Sequence, residues 1–151
     1  MDDCNIDFLF LLIKDFRNAI IEARSCCEFK ASDRMSRFPN GCCDDACDLL
    51  AYYLCNVHKI HTEQFNGTYY DQLEPENTTN HNWLKYKDYI IDITYSQFSF
   101  ITNSQEKIYF GKANTFYKSL ERIHQIEHCD IRTNNRLWKD YQFIIAHLNS
   151  K

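Results

Sequence analysis

Between Ile6 and Cys27 the apolar residues Phe8, Leu9, Leu12, Phe16, Ala19, Ile20 and Ala23 recur at steps of three and four. That spacing places them on one face of a long helix. Residues 28–41 are charged and irregular and end in Phe38-Pro39-Asn40-Gly41, a turn cluster. Beyond it Ala46, Leu49, Leu50, Tyr53, Leu54 and Val57 repeat at helical spacing, which predicts a second amphipathic helix over residues 43 to about 57. The period then changes. Thr68-Tyr69-Tyr70, Asn82 to Tyr86 and Tyr89 to Ile93 are rich in aromatic and β-branched residues, and Lys87-Asp88 supplies a tight connection between the last two. An antiparallel sheet is expected there, with Lys107 to Phe110 as a further strand. Two helical stretches follow, from about Thr115 to Glu127 and from about Asn135 to Leu148. The order predicts an α+β fold, N-terminal helices packed on a small antiparallel sheet with C-terminal helices.

A chain of 151 residues, 44% apolar and 15% aromatic, is long enough for one real core and short for two, so residues 1–151 are expected to form a single domain. Seventeen basic against 21 acidic residues, with no run of like charge, leave no basic stripe for a phosphate backbone, and nucleic acid is not an expected partner. The apolar run from Ile6 to Ile13 follows Asp2 and Asp3, not lysines, and lacks a small-residue cleavage site, so it is expected in the core and not as a signal peptide. No apolar window is long enough to cross a bilayer, and no membrane partner is expected. These features predict a cytoplasmic protein, or an effector delivered without a cleaved signal peptide. The eight cysteines are then expected as reduced thiols, and the sequons at Asn66 and Asn77 as chance matches.

The candidate chemistry starts at Gly41-Cys42-Cys43, where a thiol would open a helix. Unpaired N–H groups and the positive dipole end there favour a thiolate. A useful thiolate also needs an imidazole to hold or move the proton and a third group to orient the ring. His81 and Asp92 are the candidates. A hairpin turning at Lys87-Asp88 pairs residues whose numbers sum to about 175; those of His81 and Asp92 sum to 173, so their side chains should lie nearly opposite each other. Periodicity does not choose between Cys42 and Cys43, which flank the apolar face about equally.

The run Phe38 to Ala46 followed by Leu49-Leu50, then Asn80-His81-Asn82-Trp83-Leu84, then Ile90 to Thr94 and Gln97-Phe98, resembles the papain-like and transglutaminase-like superfamily of cysteine enzymes, in particular compact bacterial papain-fold toxin and deamidase domains. The resemblance spans about Phe38 to Phe98. It implies a papain-like or transglutaminase-like core, with Cys43 as nucleophile, His81 as general base and acid, and Asp92 as orienter of the ring. It also implies hydrolysis of an amide in a protein or peptide substrate, as a glutamine deamidase, peptidase or amidase, with no cofactor and no metal. The oxyanion would be held by the Cys43 backbone N–H and a second donor, for which Asn40 is the candidate.

Other readings stand beside this one. Cys42, Cys43 and Cys47 could be small buried side chains at a helix start. Separately, the chain could be a non-catalytic binding module on the same fold, with Asp44 as the sign that thiolate activation is lost. Cys43 and Cys47 with His58 and His61 could hold zinc on paper, although no C-x-x-C pair exists. His124 and His128 would share a solvated helix face.

Overall fold

The computed structural model describes residues 4–150. It opens with helix α1, Ile6–Ser25, capped by Asn5, whose side chain accepts the Phe8 N–H at 3.1 Å. The residues at three- and four-step spacing point inward, and Leu9, Ile13, Phe16, Ala19, Ile20 and Ala23 are completely buried. Burial of a side chain the size of Phe16 or Ile20 is worth roughly 1.5–3 kcal/mol. Helix α2, Cys43–His58, packs beside it and ends where Lys59 enters the left-handed region at φ +58°.

The chain then turns to sheet. Strands β1, Glu63–Tyr70, β2, Thr78–Tyr86, β3, Tyr89–Asp92, β4, Tyr109–Gly111, and β5, Glu121–Ile126, form one antiparallel sheet in the order β4-β3-β2-β1-β5. Lys87 and Asp88 make the two-residue connection between β2 and β3, with Tyr86 and Tyr89 as the closing pair and Lys87 at φ +53°. Two short helices, α3, Ser99–Thr102, and α4, Thr115–Ser119, lie in the second half, and the last helix is α5, Asn135–Asn149. Its cap is Asn134, which accepts the Leu137 N–H at 3.1 Å. The α+β class expected from the hydrophobic pattern is the one observed.

One expected element is different. The helix anticipated from Thr115 to Glu127 stops at Ser119, and residues 121–126 form β5. The apolar spacing there fits a helix, but β1 presents an otherwise open edge, and pairing with it satisfies backbone groups along that edge. Arg122 takes φ +56°, and the ladder shifts register between Asn66 and Thr68, as a bulge requires. His124 and His128 therefore do not share a helix face. His124 lies on β5, and His128, in the loop after it, lies 2.8 Å from Gln64 Oε1 and 2.7 Å from the Thr62 carbonyl.

The sheet's two faces belong to different clusters. Leu84 and Ile91, a cross-strand pair, join the core built by α1, α2 and α5. Trp83 and Ile90 face the other way, into an aromatic cluster with Tyr95, Phe98, Phe116, Tyr117 and Leu120. Among the described residues no helix is long and apolar enough to cross a membrane.

Candidate active site

Three segments distant in sequence converge at the amino end of α2. His81 on β2 and Asp92 at the end of β3 project to the same sheet face, because the observed register pairs residues summing to 175. Asp92 thus lies one diagonal step from His81, and a shift of two residues preserves the face. His81 Nε2 is 2.5 Å from Asp92 Oδ2, and both side chains are almost wholly buried. β3 stops at Asp92, so β2 has no ladder partner on that side before Leu84. α2 packs against β2, and its first residue is Cys43.

The three cysteines around this point have different fates. Cys42 occupies the cap position and is fully buried; burial, then the charges of Asp45, Cys43 and Asp44, pushes its thiol up to about 12. Cys47, one turn on, is buried as well, and its thiol is pushed far up by burial and then by neighbouring negative charge, including Asp92. Neither is a usable nucleophile near neutral pH. Cys43 alone is partly exposed, and its thiol approaches the His81 ring closely enough to favour the protonated imidazole. His81 Nδ1 is buried with no hydrogen-bond partner, a looseness common in sites without substrate. Burial thus sets Cys42 and Cys43 apart, which periodicity along the chain does not.

Asp92 is held on every side. Thr94 donates its backbone N–H (3.0 Å) and hydroxyl (3.2 Å) to Oδ1, and Tyr117 donates its hydroxyl to Oδ2 at 2.5 Å. Gln97 in turn holds the Thr94 hydroxyl at 2.9 Å. Burial opposes the Asp92 carboxylate, but the His81 charge and these hydrogen bonds lower its pKa below the ordinary 3.8. For His81, burial favours the neutral ring, yet the charge and hydrogen bond of Asp92, helped by Cys43, raise the imidazole to about 9. The pair is therefore an imidazolium and a carboxylate at neutral pH. An imidazolium beside a partly exposed thiol is the setting in which thiolates form.

This charge state ties stability to pH. The folded pKa of His81 lies above its ordinary 6.5, so the pair's contribution is complete below about pH 6.5 and is lost as pH rises through about 9. The lowered pKa of Asp92 places the acid limit beneath about pH 3.8. Urea unfolding should show stability falling between pH 6.5 and 9 by on the order of 3 kcal/mol from this pair, a slope that Asp92→Asn removes.

The surroundings fix the geometry. The His81 ring packs edge-on against Phe98 at 4.6 Å between centroids and lies 5.8 Å from Trp83. Gly67 stands across from His81 on β1, and a Cβ there would meet the Trp83 indole at 2.9 Å, so only glycine leaves room for that ring. Arg17 of α1 donates from Nε to the Ile93 carbonyl at 2.8 Å and lies over the Phe38 ring at 5.2 Å. It links the exit of β3 to the loop that leads into Cys43. At the opening of α2, Arg136 takes Asp45 through both its terminal nitrogens, at 2.9 and 3.2 Å. Arg34 bridges Asp44 and Asp45 at 3.2 and 2.8 Å. These arginines offset the acids that would otherwise oppose a thiolate at the dipole end.

Of the sequence-derived candidates, the structure brings Cys43, His81 and Asp92 together. Asn40 is exposed, and its N–H is taken by the Arg37 carbonyl at 2.9 Å. The paper zinc set does not assemble: Cys43 and His58 stand at opposite ends of α2, about 22 Å apart at the rise of a helix, and His58 instead meets the Tyr53 hydroxyl at 3.1 Å. Tyr117 was not legible beforehand, because it lay in a stretch read as continuous helix. Thr94 could have been found from Asp-x-Thr, the spacing at which a carboxylate accepts the N–H two residues on.

No protein-family model, no curated protein and no solved structure matches the chain. The chemistry therefore rests on this geometry.

Proposed function

We propose that the protein is a cysteine-dependent acyl-transfer enzyme that hydrolyses an amide in a protein or peptide, through Cys43, His81 and Asp92 on a papain-like or transglutaminase-like core. The observation that carries this is a buried His81–Asp92 pair, 2.5 Å apart, beside the partly exposed Cys43 thiol that opens α2. A pair of this kind is expensive to bury, and activation of a thiol gives it a use.

The steps follow from the positions. The Cys43 thiolate attacks the amide carbonyl carbon, and the tetrahedral oxyanion is held by the backbone N–H of Cys43. His81 transfers its Nδ1 proton to the departing nitrogen, so ammonia or an amine leaves and a thioester remains. Water then attacks the thioester, His81 Nδ1 takes its proton, and the carboxylic acid is released as the carbon–sulfur bond breaks, restoring the thiolate and the imidazolium. Asp92, locked by Thr94 and Tyr117, keeps Nε2–H engaged and the ring aimed at the sulfur. A glutamine side chain, a peptide bond and a small amide all suit these steps. Eight free thiols suit a reducing compartment such as the cytoplasm.

Limiting iodoacetamide at pH 7, followed by peptide mapping, provides the test. Cys43 should be modified first, ahead of the exposed Cys27 and Cys129, which are more accessible but lie outside the His81–Asp92 site. Labelling ordered simply by exposure would leave a non-catalytic binding module on the same fold.

A further inference from the structure

The turn after α1 and the last turn of α5 bring together a second set of reactive side chains, remote in sequence from the triad. Cys26, Glu28 and His147 each offer one ligand atom, and these atoms all lie within 4.8 Å of one another. The imidazole is flanked on both sides. Its Nε2 contacts Glu28 Oε1, and its Nδ1 is 3.5 Å from Glu22 Oε2.

We propose that Cys26, Glu28 and His147 form a binding site for a divalent transition-metal ion of the zinc type. A thiolate, an imidazole and a carboxylate are the donor types zinc uses, and sulfur with nitrogen disfavours calcium and magnesium. Zinc sits about 2.0–2.3 Å from such ligands, so ligand atoms in a tetrahedron lie roughly 3.3–3.8 Å apart. To admit the ion, the widest pair in the cluster would close by about 1 Å and the contacting His147 Nε2 and Glu28 carboxylate would open by a similar amount, within reach of side chains near the surface. Metal on Nε2 would leave Nδ1–H to Glu22, the carboxylate–histidine–metal arrangement that fixes a ligand ring. Water would take the fourth position. On binding, the thiol gives up its proton to solvent and a metal–sulfur bond replaces the S–H bond, while the neutral imidazole coordinates through its Nε2 lone pair and keeps Nδ1–H. The ion would tie the carboxyl ends of α1 and α5, which pack against each other.

Titration of the reduced, metal-stripped full chain with Co²⁺ separates this site from the triad, which also contains a thiol and an imidazole. One equivalent should produce a thiolate-to-cobalt charge-transfer band and raise the melting temperature, in the wild type and equally in Cys43→Ala and Cys27→Ala. Cys26→Ala and His147→Gln should lose the band, and Glu22→Gln should weaken binding about tenfold or more. Cys26 is exposed, so its replacement leaves the fold intact. A band that survives Cys26→Ala, that disappears in Cys43→Ala, or that never forms at one equivalent overturns the assignment.

Discussion

Cys43→Ala is expected to abolish the fast, selective alkylation near neutral pH and to reduce amide turnover by at least about 10³-fold, the scale on which loss of a nucleophile acts. Its neighbour is the control. Cys42→Ala should leave the labelling rate nearly unchanged, because Cys42 is sealed in the core and its thiol is pushed up to about 12. The two substitutions remove the same sulfur one position apart, so a difference in reactivity reports environment and not composition. Stability separates them in the opposite sense. Removal of a fully buried sulfur leaves a void, whereas Cys43 is partly exposed and its loss should fall within about 0.5–1 kcal/mol. Intact-protein mass spectrometry under limiting reagent, with urea unfolding alongside, reads both effects. Equal labelling of the wild type and Cys43→Ala would end the enzymatic interpretation.

Asp92→Asn should have the next largest effect, on reactivity and stability together. Without the carboxylate, burial is the dominant influence on His81, and its pKa falls from about 9 to below the ordinary 6.5. The ring is then neutral at pH 7 and no longer supplies a positive charge beside the thiol. Its orientation also loosens, since an amide cannot accept from Thr94, Tyr117 and His81 on both sides as a carboxylate does. Alkylation of Cys43 at pH 7 should slow by about 10²- to 10⁴-fold. Stability should fall by about 3–5 kcal/mol, the usual cost of breaking a buried pair by removing one partner. Measurements at a temperature where near-ultraviolet circular dichroism still shows the folded state keep the two consequences apart. Wild-type labelling and stability in Asp92→Asn would mean that the carboxylate positions nothing.

The hairpin explains why so much of this site can be read from the chain. Lys87-Asp88 lies between two short β-rich runs, and a two-residue connection fixes the register by counting. Once the register is known, two residues eleven apart must share a face, and the contact between His81 and Asp92 follows from local rules. Helices α1 and α2 are legible for a similar reason. Their apolar residues return every three or four positions, which a helix alone turns into a continuous face. Residues 115–127 lack that security. Phe116, Leu120 and Ile123 fit a helical spacing, but the segment is decided by the open edge of β1, whose unpaired backbone groups lie more than fifty residues earlier.

The chain by itself determined the α+β order, the two long helices, the β2–β3 hairpin and the pairing of His81 with Asp92, because each depends on backbone periodicity or on a turn a few residues long. Only the tertiary structure decided that Cys42 is sealed in the core while Cys43 stays partly exposed, that Tyr117 and Thr94 lock the carboxylate, that β5 replaces a helix, and that Cys26 meets His147. Those outcomes are set by burial and by groups brought together from distant segments. Desolvation and Coulomb interactions depend on distance in space, and spacing along the chain carries no record of it.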